Sequence, residues 1–224
     1  MTKRSRNKQT ARRVSKRPGK PDGVRATNRR EKERVLLDAA LLLFLEGGVE
    51  GVSVDDITTA AGVAKGSFYR YFKDQEALVA ALVSPLTRLL TEAFDEVAAS
   101  LPASVNRDKQ FTMYRRVGGV LATLLMEYPG VVRLYLQESR APSVGARRPL
   151  VSLSDKINAR AIELTKQAQG LKIFKEFPPA VSALTVVGAS EKLILGVLLE
   201  QELGNPLDIP NALVSLIFDG IGYR

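Results

Sequence analysis

An all-α fold is the expectation for these 224 residues. Three observations predict it. No strand-like alternation of useful length occurs, apolar residues recur at helical spacing, and the breaks between such stretches fall at glycine and proline. A hydrophobic content of 45% is enough for a real core, and the length allows one or two domains. There is no internal repeat.

Residues 1–27 are rich in Arg, Lys, Ser, Thr, Gly and Pro and carry almost nothing to bury, so they read as a disordered basic tail. The first helix is expected from Thr27 to Glu46, closed by Gly47 and Gly48. Its apolar residues from Val35 to Leu45 surround nearly the whole circumference, so it must pack on more than one side. Arg29, Arg30 and Arg34 stand at its start.

A second, short helix begins after Ser53, whose hydroxyl can accept from the amide of Asp56 while that carboxylate reaches back. Val54, Ile57 and Ala61 form one narrow apolar stripe, and Gly62 ends the helix because glycine takes a left-handed C′ conformation without steric cost. A third runs from about Lys65 to Phe72. Phe68 and Phe72 point inward with Val63, leaving Lys65, Gly66, Ser67, Tyr69, Arg70 and Lys73 outside. Arginine and lysine donate to guanine O6 and N7, serine bonds base edges or phosphate, tyrosine hydroxyls hold phosphates, and a glycine lets the backbone approach a groove. The pair therefore reads as a helix-turn-helix, with the second helix entering DNA.

Asp74 caps a fourth helix from Gln75 to about Ser100, whose long apolar face includes Leu78, Leu82, Leu86, Phe94 and Val97. Pro85 removes a hydrogen bond there, so the helix is expected to bend or break. Further helices are expected over Lys109–Tyr128, Pro129–Ser139, Leu150–Gln169, Pro179–Leu203 and Ile209–Ile221.

The formal charge of +9 is unevenly placed. Residues 1–34 hold 14 Lys and Arg against three acids, leaving −2 for the remainder. The basic end suits a polyanion, either as an arm that follows phosphates or enters a minor groove, or as a solvated polycation that adds nonspecific attraction. With no cysteine there is no disulfide or thiol chemistry, and with no histidine the usual general base and commonest metal ligand are missing. Uninterrupted apolar runs such as Ala39 to Leu45 are far shorter than the ~20 residues of a membrane helix, and no apolar signal core opens the chain. A cytoplasmic protein without membrane attachment, cofactor or metal is expected.

The ordered run Ile57, Ala61-Gly62-Val63, Lys65-Gly66-Ser67-Phe68-Tyr69, Tyr71-Phe72 and Glu76-Ala77-Leu78 resembles the DNA-binding domain of TetR-type transcriptional regulators, over about Arg30 to Val83. Ala64 departs from it where a capping Ser would serve, and Gln75 where many members have a lysine. The resemblance implies a DNA-binding domain over residues 28–74 and a helical effector-binding and dimerisation domain over 75–224. It also implies a homodimer on a palindromic double-stranded operator. For DNA contact it implies Lys65, Ser67 and Arg70 at base edges, Ser53, Tyr69, Tyr71 and Lys73 at phosphates, and Gly66 at the close approach. The last two helices resemble the family's dimer pair, with Val187, Ile194, Leu198, Leu213, Leu216 and Ile217 as interface candidates; ordinary core is the other reading of that stripe. A small-molecule effector pocket is implied in the body, with Phe94, Phe111, Tyr114, Met126, Tyr135 and Phe174 as candidate lining and Gln137, Glu138 or Arg140 as sources of polarity. The apolar bias leans towards an acyl, aromatic or drug-like effector, although each of these residues also suits ordinary core or surface.

An enzyme is the competing class, since Glu163, Glu191, Glu200 and Glu202 could meet in a bundle as in diiron proteins, but the Glu-x-x-His pairs such sites use need histidine. A general nucleic-acid or anionic-membrane binder driven by residues 1–34, an activator and an effector-independent regulator stay open as alternatives.

Overall fold

A computed structural model describes residues 24–103, 106–205 and 208–220. The expected tail therefore lies mostly outside the described residues. In chain order the α-helices are α1 (Val24–Gly47), α2 (Val54–Ala60), α3 (Lys65–Tyr71), α4 (Gln75–Ser100), α5 (Arg107–Glu127), α6 (Pro129–Glu138), α7 (Arg148–Gly170), α8 (Pro179–Leu198) and α9 (Ile209–Gly220). Short 3₁₀ turns at Leu101–Ala103 and Gly145–Arg147 join them, and no strand occurs among the described residues.

Helices α1 to α3 form the head. Leu36, Ala40 and Phe44 from α1, Ile57 from α2 and Phe68 from α3 are all essentially inaccessible to solvent. Burying each of these larger side chains contributes about 1.5–3 kcal/mol relative to exposure. The same core continues without a break into Leu78, Val79, Val83 and Leu86 of α4 and Val131, Leu134 and Tyr135 of α6. Head and body are thus packed as one unit. Gly130 lets α6 approach α1 closely: a Cβ there would lie 3.1 Å from Leu41 Cδ2. Helix α1 accordingly packs on α6 as well as on α2 and α4, while Leu42 remains exposed. A second cluster, including Val97, Leu164, Ala168, Phe174 and Ile217, holds the far end of the body.

Two helix ends lie three or more residues from expectation, those of α1 and α8. Helix α1 begins at Val24 rather than Thr27. Helix α4 spans Gln75–Ser100 as expected and is not broken at Pro85; Leu82, Val83 and Leu86 are buried around the proline and hold both halves. Helix α8 stops at Leu198 rather than Leu203 because Glu200 adopts a left-handed φ of 54° and the chain turns back. Leu203 then folds over Gly196, where a Cβ would lie 2.6 Å from Leu203 Cδ1. In addition, α4 and α8 are long and apolar enough on average to cross a membrane, although charged and polar residues interrupt the apolar runs in both. In the fold α4 packs on α5 and α7, and α8 packs on α7 and α6.

Candidate nucleic-acid interface and buried cavity

The helix-turn-helix is built by local chemistry. Ser53 Oγ accepts from the Asp56 amide at 3.2 Å, and the Ser53 amide donates to Asp56 Oδ2 at 2.8 Å. The Ser53 hydroxyl also donates to that carboxylate at 2.6 Å, which holds the Asp56 pKa below its ordinary value. The hydroxyl named for phosphate contact is therefore committed to the cap. Gly62, at φ 64°, makes the turn, and the Val63 amide closes it on Thr58 O at 3.0 Å. Ala64 gives α3 no side-chain cap.

Phe68 and Phe72 anchor α3 from beneath, their ring centroids 5.7 Å apart. This leaves Lys65, Gly66, Tyr69 and Arg70 exposed and Ser67 half-buried. Nothing lies within 4 Å of a Cβ built on Gly66, so the helix start is open to a partner's backbone. Lys65 ion-pairs with Asp55 of α2 at 2.7 Å, and that hydrogen bond raises its pKa. Both groups are exposed, so the pair can exchange for a stronger anion. Lys73 is exposed beside Asp74 at 3.6 Å. Tyr71 is half-buried and packs against the head core.

Arg70 and Tyr71 share a surface cleft with Asn28, Arg29 and Lys32 of α1. Three cations line it without an acid. Arg29 had been singled out from the sequence but Lys32 had not; the i, i+3 spacing that puts both on one helical face was the available signal. Arg34 instead pairs with Glu31 at 2.9 Å. Gln75, where a lysine was missed, has a structural use: its Nε2 donates to Val49 O at 2.9 Å and Val52 O at 3.0 Å, fixing the loop before α2 to the start of α4. Asp74 caps α4 by accepting from the Ala77 amide at 2.8 Å.

The body encloses a mostly apolar cavity of about 190 Å³, lined from α4 to α9. Of the residues named as candidate effector lining, Phe94, Tyr135 and Phe174 line this cavity. Met126 does not: it is 84% exposed near the end of α5, two residues beyond the buried Leu124 and so on the opposite face of the helix. The side chains of Phe111 and Tyr114 lie outside the described residues. Of the proposed polar neighbours, Gln137 is exposed and Glu138 points to the head, accepting from the Val49 amide at 3.3 Å. The carboxylate that faces the cavity belongs to Glu191. Tyr135 donates its hydroxyl to Glu191 Oε1 at 2.7 Å, and Arg140 donates to Oε2 at 2.8 Å. Burial, then the hydrogen bond to Glu191, pushes the Tyr135 pKa well above its ordinary value. Sequence reading placed Glu191 only in a hypothetical metal set; among the described residues no group of potential metal ligands forms.

Within the chain, Val187, Ile194 and Ile217 of the expected dimer surface line this cavity. Leu198 and Leu213 are half-buried against the core clusters. Leu216 is 72% exposed, as are, to a lesser degree, Val181 and Leu184 of α8. An apolar outer face on α8 and α9 thus exists, but its register differs from the sequence choice at the three cavity positions.

An all-helical chain whose head presents a helix-turn-helix belongs to the class of helical DNA-binding proteins. The match is more specific: residues 36–82, most of the head and the start of α4, fit the model of bacterial regulatory proteins of the tetR family. Among curated relatives, an uncharacterised HTH-type transcriptional regulator, YuxN of Bacillus subtilis, is 31% identical over 113 residues, 50% of this chain and 37% of that protein. The chain thus spans little more than a third of this relative. The structure of NalD, described as the secondary repressor of the MexAB-OprM multidrug efflux pump in Pseudomonas aeruginosa, superposes with a TM-score of 0.66 at 20% identity over 88% of this chain and 99% of that one. FadR of Bacillus subtilis in complex with stearoyl-CoA gives a TM-score of 0.61 at 16% identity over 84% and 98%. These likenesses extend the shared fold through the body.

Proposed function

We propose that the protein is a homodimeric, ligand-responsive transcriptional regulator, acting as a repressor on a palindromic operator. The observation that carries this reading is the outer face of α3 joined to the acid-free cleft of Arg29, Lys32 and Arg70. That face combines groups able to read base edges with cations able to hold phosphate on either side. Lys65, Ser67 and Arg70 are assigned to base edges. Tyr69, Lys73, Arg29 and Lys32 are assigned to phosphates, and Gly66 to close backbone approach. Tyr71 packs beneath the cleft and orients it, and Ser53 acts through its cap.

One such helix reads only a few base pairs. Two heads about 34–36 Å apart face successive major grooves and read an inverted repeat, which a dimer supplies. The exposed apolar face of α8 and α9, with Leu216, Val181 and Leu184, supports dimerisation there. The cavity supports an effector, and the neighbour holding stearoyl-CoA supports an apolar one. Such an effector releases DNA only if it favours one head spacing over another.

Selection of bound sites from random duplex DNA at about 150 mM salt, where weak electrostatic binding is suppressed, tests this reading. An enriched inverted repeat is the expected result. Binding without an enriched motif would make the protein a nonspecific nucleic-acid binder driven by its basic N-terminal residues.

A further inference from the structure

The polar end of the cavity has an unusual composition. Four hydroxyl groups line the cavity as a whole, from Tyr135, Thr165, Ser182 and Ser190. Three of them have already committed their hydrogens: Tyr135 to Glu191, Thr165 to Ala161 O at 2.9 Å, and Ser190 to Val186 O at 2.8 Å. The Tyr135 oxygen also accepts from Ser139 and Ser154, so what Thr165, Ser190 and the Glu191 carboxylate have left to offer is lone pairs. Ser182 lies on the same helix as Glu191 but nine residues earlier, about 13 Å along the axis, at the other end of the lining. Arg140 reaches Glu191 without lining the cavity, and its side chain is 64% exposed. Its guanidinium therefore meets the carboxylate from the solvent side, where water screens it, and no cation lines the cavity itself.

We propose that the cavity selects a small lipophilic amine: an apolar body in the space between α4 and α9, and a protonated nitrogen donating to Glu191. This rests on the reading of the cavity as the effector site and narrows it. An anionic head placed at the same end meets a carboxylate and no free donor, so free carboxylic acids are disfavoured. A neutral alcohol donates one hydrogen bond without charge assistance and ranks between them. The volume sets a further limit, because about 190 Å³ lies below the ~300–1,000 Å³ of pockets for drug-sized ligands.

Three matched probes test this on the full chain by calorimetric titration: 3-phenylpropylamine, 3-phenylpropan-1-ol and 3-phenylpropanoate. The amine is expected to bind about tenfold or more tighter than the acid, the size of a charge-assisted hydrogen bond. Glu191→Gln should abolish that preference. Tyr135→Phe, which frees Glu191 Oε1, should strengthen amine binding severalfold and keeps the test valid should Glu191→Gln fold poorly. Equal or tighter binding of the acid, or a preference that survives Glu191→Gln, overturns the amine assignment while leaving an effector cavity. Binding of none of the three at millimolar concentration overturns both the amine assignment and the effector reading, and the operator selection then judges the head separately.

Discussion

The carboxylate of Glu138, at the end of α6, accepts a hydrogen bond from the backbone amide of Val49, 89 residues earlier in the chain. Its second oxygen receives Arg147 Nε at 2.6 Å, and both side chains are largely buried, at 12% and 15% exposure. One acid thus fastens the loop between α1 and α2 to the body. It sits three residues beyond Tyr135, so the helix that contacts the cavity also holds the head.

Removing Glu138 leaves Arg147 without its partner in a poorly hydrated site. We expect Glu138→Ala to cost about 3 kcal/mol, in the range for breaking a buried pair, and Glu138→Gln to cost less because it keeps an acceptor for Val49. Urea unfolding of the two variants checks the order; equal losses would show that the ion pair, not the amide contact, carries the joint.

Gln75 is expected to matter for a different reason. Gln75→Ala leaves two backbone carbonyls short of a donor, at about 1–3 kcal/mol for partly buried acceptors. Gln75→Lys, the residue that the resemblance implies at this position, should lose less stability and raise the salt dependence of DNA binding. Salt-titrated binding to one duplex measures both effects.

Arg70→Ala should weaken operator binding by about 1–3 kcal/mol and relax preference at one base position per half-site. Arg29→Ala and Lys32→Ala should weaken specific and random DNA alike, each lowering the salt slope by about one unit. Equal losses for Arg70→Ala on both DNAs would move that arginine into the phosphate-binding group with its cleft neighbours.

Leu216→Glu should yield monomers with weakened operator binding. Leu216 is 72% exposed, so the charge costs the fold of one chain little. Sedimentation that still shows dimers would move the interface away from α9.

The cap on α2 has a pH signature. Hydrogen bonds from Ser53 depress the Asp56 pKa, so their contribution is present above the ordinary carboxylate value of about 3.9 and is lost as pH falls through the lower folded value. Ser53→Ala should return the Asp56 midpoint towards the ordinary value, read from its carboxyl carbon shift by NMR; an unmoved midpoint would mean that the cap does not set it.

Features that depend on neighbours in sequence were legible before any coordinates. The Ser53–Asp56 box, the Gly62 turn and the inward Phe68–Phe72 pair each involve residues within one or two helical turns, where spacing alone decides who meets whom. Features that depend on distant segments were not. Nothing in the pattern around Glu191 announces Tyr135, and nothing around Gln75 announces the Val49 and Val52 carbonyls. The apolar stripe of α8 was visible, but its two sides look alike to periodicity: Val187 and Ile194 face the cavity while Val181 and Leu184 face outward. Pro85 is the opposite case, because tertiary packing on both sides of a proline keeps a helix unbroken where local propensity alone allows a bend or a break.

Helix α4 spans Gln75–Ser100 without interruption, from the loop clamp at the head to the far core of the body. At 1.5 Å per residue its 26 residues make a rod of about 39 Å. A tilt of about 5° about one end of such a rod carries the other end about 3.4 Å, the rise of one base pair. In the proposed dimer a twofold axis would double that arc, so a small rearrangement near the cavity would be enough to move paired reading heads out of step with the grooves they address.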